Sequence, residues 1–231
     1  MQKLRELTTA EKVDRLWDQY QIRNLMARYA YYGFEENGDG IMELFSKRDD
    51  AFVDCEGMGV FEGPAGLKEF FIDWHKKLND EETDPRGIMA LHALSTEMIE
   101  VASDGQTARG LWVSPGIEAK RREDGEMESY WIWGEYQNDF IKEDGEWKFW
   151  KFRIPHIILC DFHNSWTDLA KQGLAMGGSI GATAEKPHGK PSTFKETFYT
   201  LDKSYTNFAR PPFPYDTLED LKGTWETPEG R

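Results

Sequence analysis

The sequence predicts an α+β fold in which three N-terminal helices pack inside a strongly curved, mixed or antiparallel sheet. Apolar residues recur at helical spacing in the first third of the chain. Three Asp-Gly pairs, which begin at residues 104, 124 and 144, then separate long strand-like segments. Aromatic residues make up 14% of the 231 residues, which is enough for a large core with an apolar cavity.

The N-terminal part of the chain is expected to form the helices. Thr8 and Glu11 have capping-box spacing, and the apolar positions after them predict a helix over about residues 9–33. A short second helix is expected at about residues 41–45. The third helix is indicated by an apolar stripe over residues 67–78 with a period of about 3.6. Between the last two helices a short strand is expected over residues 51–56, and residues 57–59 should turn it back into residues 60–61.

The C-terminal half of the domain is expected to form long antiparallel strands. Asp-Gly favours a two-residue hairpin turn, because both central positions take positive φ. Strands of this length accumulate twist, so the sheet should curl around the helices. The expected strands cover roughly residues 88–102, 107–122, 127–142 and 146–159.

A register without bulges predicts which side chains face the helices. It places His92, Tyr136 and Arg153 together on the concave face. One bulge would exchange the two faces beyond it. Because both faces carry apolar residues, we expect the convex face to be covered as well, most simply by a second subunit. In this register the convex face carries Trp131, Trp133, Glu135 and His156.

Composition and motifs disfavour several classes of function. The net charge of −14, with no basic cluster beyond residues 120–122, predicts that the protein does not bind nucleic acid. No apolar run suits a membrane span or a signal peptide, and both cysteines lie in apolar runs, so a cytoplasmic protein with free thiols is expected. The glycine-rich segment 173–184 lacks the Lys-Ser/Thr of a phosphate loop. Ligand spacing for a metal is not found either, so we expect neither a cofactor nor a metal.

A few residues are candidates for acid–base chemistry in the cavity. His92 lies in an apolar strand, where a histidine is either a hydrogen-bonded core residue or a proton carrier near neutral pH. Arg153 either pairs with a helix carboxylate or binds a substrate oxyanion. Tyr29, near the end of the first helix, can pack in the core or donate a hydrogen bond to the substrate. The candidate carboxylates are Glu35, Glu36, Asp54 and Glu135, although a solvated surface charge is their more usual role.

A set of local patterns resembles the SnoaL-like group of the NTF2-like superfamily, in the same order along the chain. The resemblance covers about residues 10–160 and implies an NTF2-like cone over residues 1–160. Residues 161–231 would then be a C-terminal extension that packs on the domain, on a neighbouring subunit or over the pocket. A homo-oligomer is also implied, with a trimer favoured over a dimer. The patterns are Ile22–Ala30, Glu43–Phe45, Gly63–Leu67, His92 followed by Ile99–Val101, Asp104–Ala108 and Asp144–Phe149.

Within the superfamily the chain resembles cofactor-free lyases: scytalone dehydratase, the bile-acid 7α-dehydratase and lyases of lignin-derived diaryl compounds. Tyr29, His92 and Arg153 match the catalytic tyrosine, histidine and arginine of the dehydratases. The position of the family aspartate holds Phe34, so Glu35 or Tyr31 would have to take its role.

The resemblance therefore implies a cofactor-independent lyase for an apolar or aromatic small molecule. The reaction would be dehydration, or carbon–carbon cleavage with release of formaldehyde. Two alternatives stay open, namely a non-catalytic small-molecule binding or assembly module and a ketosteroid-type isomerase, which needs a carboxylate in the cavity. The residues expected to contact the substrate are Phe34, Tyr136, Trp133, Trp131, Asp54 and Glu135.

Overall fold

The computed structural model of the protein describes residues 6–74, 86–122, 124–171, 189–194, 198–202, 209, 211–217 and 225. The predicted capping box is present at the first helix, where the Thr8 N–H donates to Glu11 Oε2 at 2.8 Å. None of the described helices combines the length and the apolar character that crossing a membrane requires. The helices are α1 (Thr9–Phe34), α2 (Gly38–Leu44), α3 (Gly63–Lys68), its π-helical continuation (Glu69–Asp73) and α4 (Trp166–Lys171).

Eight strands of the described residues form one sheet in the order β2-β1-β7-β6-β5-β3, with β4 also paired to β5 and β8 also paired to β6. The β1–β7 pair is parallel and the other pairs are antiparallel. Two of the long predicted strands are each divided in two, at residues 93–94 and at Pro155. The strands are β1 (Phe52–Cys55), β2 (Gly59–Glu62), β3 (Met89–His92), β4 (Ser95–Val101), β5 (Thr107–Arg121), β6 (Met127–Glu143), β7 (Glu146–Ile154) and β8 (His156–Asp161).

Two features shift the strand register by one residue each. The hairpin between β5 and β6 has a three-residue loop, which is closed by a hydrogen bond from the Arg122 N–H to the Glu126 carbonyl at 2.8 Å. A bulge lies in β4 between Ser95 and Met98. The loop moves β6 relative to β5, and the bulge moves β3 relative to β5.

These two shifts cancel at His92. His92 pairs with Gly116, and Gly116 pairs with Ile132 on β6. Ile132 lies on the same face as Tyr136, because the two are separated by an even number of residues along one strand. The prediction that His92 and Tyr136 share the concave face is therefore confirmed.

A bulge in β7 sends Arg153 to the other face. Trp150 is an extra residue, because its neighbours Phe149 and Lys151 pair with consecutive residues of β6. Beyond it, Arg153 pairs with Gln137 on the convex face. The prediction that Arg153 lies on the concave face is wrong, because the predicted register contained no bulge.

A bulge in β8 has the opposite effect on His156. Consecutive β6 residues Trp133 and Gly134 pair with Ile158 and His156, so Ile157 is an extra residue. His156 is thereby brought beside Gly134 on the concave face. The prediction that His156 lies on the convex face is wrong for the same physical reason.

Thr193 and Ala209 of the C-terminal extension pack on the convex face. Asp54 Oδ2 accepts hydrogen bonds from the Thr193 N–H at 2.6 Å and from Thr193 Oγ1 at 2.7 Å. Thr193 Oγ1 also accepts a bond from Arg153 Nε at 3.2 Å. The Ala209 N–H donates to Glu135 Oε2 at 3.3 Å. The extension thus covers polar side chains of the sheet that would otherwise face solvent.

Candidate active site

The concave face of the sheet and the helices enclose a cavity of about 280 Å³. A mostly apolar cavity with a few convergent polar groups is typical of small-molecule sites. The apolar part of the wall includes Phe34, Ile41, Phe70, Phe71, Trp74, Ile132, Ile154 and Leu159. Its polar residues include Tyr29, Glu36, Glu56, His92, Glu118, Lys120, Tyr136 and His156.

A histidine–carboxylate pair lies on the wall formed by β3 and β5. His92 Nε2 and Glu118 Oε1 are 3.1 Å apart. The register explains the contact, because Glu118 pairs with Ala90 and lies two residues along β5 from the residue that pairs with His92, on the same face of the sheet. That facing residue is Gly116, where a Cβ would lie only 3.0 Å from His92 Nδ1. The glycine therefore leaves room for the imidazole ring to lie across β5.

Glu118 also contacts a lysine that lines the cavity. Lys120 Nζ lies 2.6 Å from Glu118 Oε2. Burial by itself raises the pKa of Glu118, but the hydrogen bond to His92 and the charge of Lys120 outweigh it and lower the pKa to about 2. Glu118 is thus a buried, permanently charged carboxylate at neutral pH, held between a histidine and a cation.

Two tyrosines face each other at another part of the cavity. The rings of Tyr29 and Tyr136 meet edge to face, with centroids 5.7 Å apart. Burial raises the pKa of Tyr136 to about 12, and burial likewise holds the pKa of Tyr29 well above its usual range. Both hydroxyls are therefore protonated over the physiological range and are able to donate hydrogen bonds.

His156 and Glu56 lie where β7, β8 and the end of β1 meet. The His156 backbone N–H donates to Glu56 Oε2, and both side chains line the cavity. The imidazole stacks on Phe198 of the C-terminal extension, with ring centroids 6.2 Å apart and an interplanar angle of 11°. The extension therefore supports one wall of the cavity.

The structure brings only some of the predicted site residues together. His92, Tyr29, Tyr136 and Phe34 line the cavity. Tyr31 lies outside it on α1, with 66% of its surface exposed.

The other predicted residues lie on the convex face. Arg153 Nη1 pairs with Asp139 Oδ2 at 3.1 Å, and Asp54 is bound by the extension. Burial raises the pKa of Glu135 to about 7, although hydrogen bonds from Gln137 and Ala209 act in the opposite direction. Trp131 stacks on Phe162, and Trp133 is 40% exposed. These five residues do not reach the cavity, because they occupy the face opposite Tyr136.

Sequence reasoning missed four polar residues of the cavity: Glu56, Glu118, Lys120 and His156. Lys120 and its neighbours resemble a solvated strand end in the sequence, and Glu118 is not conspicuous there. Counting the register from His92 with one bulge would have placed Glu118 beside it. Among the described residues, no three His, Cys, Asp or Glu side chains converge as metal ligands.

Comparison with known proteins gives a consistent picture of the fold. The family description that matches residues 14–153 is a SnoaL-like domain. None of the curated proteins matches the sequence of this chain.

Three solved structures share the curved sheet. A candidate scytalone dehydratase from Novosphingobium aromaticivorans is 19% identical over 68% of this chain and 94% of that one, with a TM-score of 0.54. The hexachlorocyclohexane dehydrochlorinase LinA-type3 from Novosphingobium barchaimii is 20% identical over 67% and 96%, with a TM-score of 0.51. A crystal structure of LinA is 20% identical over 63% and 90%, with a TM-score of 0.50. At these identities the likeness concerns the fold alone.

Proposed function

The chain belongs to the SnoaL-like family of the NTF2-like superfamily, and on that premise we propose that it is a cofactor-independent lyase for a hydroxylated aromatic or polycyclic small molecule. The observation that carries the proposal is the contact between His92 and the buried carboxylate of Glu118 on the wall of an aromatic cavity. Two similar structures are named for eliminations, a dehydratase and a dehydrochlorinase, which agrees with a lyase.

His92 is the general base in this proposal. Because Glu118 is ionised, it accepts a hydrogen bond from Nε2 and so fixes the proton on that nitrogen. The lone pair is then on Nδ1, the atom that lies over Gly116. The carboxylate also stabilises the imidazolium that forms when Nδ1 takes a carbon-bound proton from the substrate.

The tyrosines and the lysine stabilise negative charge on the oxygen atoms of the substrate. Tyr29 and Tyr136 remain protonated at neutral pH and donate hydrogen bonds to an oxygen on which charge develops. Lys120 supplies positive charge at the cavity wall, the role that the sequence suggested for Arg153. The elimination needs no redox step, since a proton and a hydroxyl group leave the substrate as water.

An isomerase is the second candidate, because three carboxylates, Glu36, Glu56 and Glu118, line the cavity. A ketosteroid-type reaction moves one proton between two carbons and needs such a base near the substrate. It would change the absorption spectrum of the substrate without changing its mass. A binding module would use the same apolar cavity and leave each compound intact.

The proposal is tested with the purified, chelator-treated protein and a panel of hydroxylated steroids, polyketide phenols and lignin-type diaryl diols, read by mass spectrometry. Loss of water or of formaldehyde from one compound is the expected result. His92→Gln should then lower turnover by about a hundred- to ten-thousand-fold. His163→Gln is the matched control, because His163 is exposed and outside the cavity. Recovery of every compound unchanged would contradict the lyase.

The proposal includes a homo-oligomer. Met89, Leu91 and Trp133 belong to the convex face and are 43%, 42% and 40% exposed in the single chain. A contiguous apolar surface of this kind favours association with a second copy. We expect a trimer rather than a dimer, by analogy with the family.

A further inference from the structure

The wall opposite His92 carries a second histidine, His156, for which the proposed reaction has assigned no role. His92 lies on β3 and His156 on β8, with the central strands β5 and β6 between them. The bulge at Ile157 is what points His156 into the cavity. His156 also lies beyond residues 14–153, which the family description covers.

Two glycines reduce the number of side chains between the two histidines. His92 lies beside Gly116, and His156 lies beside Gly134. Both glycines belong to the central strands, so the side chains that lie between the two histidines on this face are those of Ser114 on β5 and Ile132 on β6. Three strand spacings separate β3 from β8, which is about 14 Å on a flat sheet and less on a curved one. A substrate with more than one ring can therefore contact both histidines at once.

The position of His156 is fixed from three sides. Its backbone N–H is held by Glu56, and the Glu56 N–H donates to the Ile154 carbonyl at 3.2 Å. The carbonyl of the preceding Pro155 accepts a hydrogen bond from the Glu135 N–H at 2.9 Å. Phe198 covers one face of the imidazole ring. The hydrogen bonds fix the backbone that carries the imidazole, and the stacking on Phe198 supports the ring beside the cavity, as positioning for proton transfer requires.

We propose that His156 is the general acid that protonates the departing hydroxyl group, while His92 takes the carbon-bound proton. This inference rests on the proposed function. His92 Nδ1 takes the proton, the electrons of the carbon–hydrogen bond form the new carbon–carbon double bond, and the carbon–oxygen bond breaks. The imidazolium of His156 gives its proton to that oxygen, so water leaves. Exchange of one proton with solvent at each histidine restores the starting state.

The test compares two aromatic probes that differ only in the leaving group. One is 4-hydroxy-4-(2-naphthyl)butan-2-one, which must release water, and the other is its 4-nitrophenyl ether, which releases 4-nitrophenolate. Both need the same proton abstraction, but only the alcohol needs an acid for its leaving group. His156→Gln should lower release of water by about 100-fold or more, and release of 4-nitrophenolate by no more than about threefold.

Each variant has a distinct expected pattern. His92→Gln should lower both reactions by about 100-fold or more, and His163→Gln should change neither. His156→Asn serves as a second substitution, and circular dichroism checks that each variant is folded. A merely structural role for His156 would lower both reactions equally.

Equal losses for the two probes in His156→Gln, or no loss for either, would overturn the inference while the effects of His92→Gln still support the lyase. If the unaltered protein eliminates neither probe, the proposed function fails and this inference fails with it. The His92 variant therefore separates the two failures.

Discussion

Replacing Glu118 by glutamine should remove a specific part of the dependence of stability on pH. Folding lowers the pKa of Glu118 from 4.5 to about 2, since the hydrogen bond to His92 and the charge of Lys120 outweigh the effect of burial. Its side chain is only 11% exposed, so solvent screens these interactions little. The shift corresponds to about 3 kcal/mol of unfolding free energy.

The sign follows from the direction of the shift. A lowered pKa means that the unfolded chain binds the proton more tightly, so this contribution is fully present above about pH 4.5. This stabilisation decreases as the pH falls from about 4.5 to about 2. At about pH 3, roughly 2 kcal/mol of it has been lost. Glu118→Gln should therefore be less stable than the unaltered protein by about 3 kcal/mol near neutral pH, and by about 1 kcal/mol near pH 3.

Urea unfolding followed by tryptophan fluorescence at several pH values measures this difference. Glu97→Gln is the matched control, because Glu97 pairs with Arg23 on the surface, where the two side chains are 37% and 53% exposed. The other carboxylates titrate in both proteins, so the comparison isolates Glu118. If the difference in unfolding free energy between the two proteins is the same at both ends of the pH range, Glu118 is not held as an ionised carboxylate by His92 and Lys120.

Three other predictions separate the cavity from the convex face. Arg153→Met should destabilise the fold by about 3 kcal/mol in urea unfolding, because it leaves the buried Asp139 with one partner fewer. Turnover by the folded variant should be unchanged. A large loss of turnover without loss of stability would contradict the placement of Arg153. Tyr29→Phe should lower turnover by about 100-fold, because it removes a hydrogen-bond donor, and unchanged kinetics would exclude that role. Light scattering after gel filtration should show a trimer. Leu91→Lys should shift it towards monomer, because the substitution places a charge on the exposed apolar surface. A monomer in the unaltered protein would contradict the proposed oligomer.

Local patterns in the sequence predicted most elements of the fold, although of the three predicted two-residue Asp-Gly turns only that at residues 144–145 has the expected conformation. The capping box of Thr8 and Glu11 begins α1, and Asp144-Gly145 forms a two-residue hairpin in which both residues have positive φ. Such features depend on a few neighbouring residues, and the predicted NTF2-like fold is confirmed. His92 and Tyr136 were placed on one face correctly, although this depended on two register shifts that cancel.

The composition of the candidate site was less predictable, because it depends on bulges. One extra residue leaves the hydrophobic pattern nearly unchanged when both faces of a strand are apolar, as they are around Trp150. Pro155 was the available indication, since proline cannot donate to a ladder and is found at edges and bulges. It lies two residues before the bulge at Ile157 and five after the one at Trp150.

The two bulges together determine the chemistry that the cavity can support. Without the bulge at Trp150, Arg153 would face the cavity as a permanent cation. Asp139 on the convex face would then lose its ion pair with Arg153. Without the bulge at Ile157, His156 would leave the cavity. The observed arrangement instead combines an ionised carboxylate and a lysine beside one histidine with a second histidine on the opposite wall. The cavity thus holds a second histidine, a residue type that exchanges protons near neutral pH, in addition to the fixed charge of Lys120, and this favours proton transfer as the chemistry of the site.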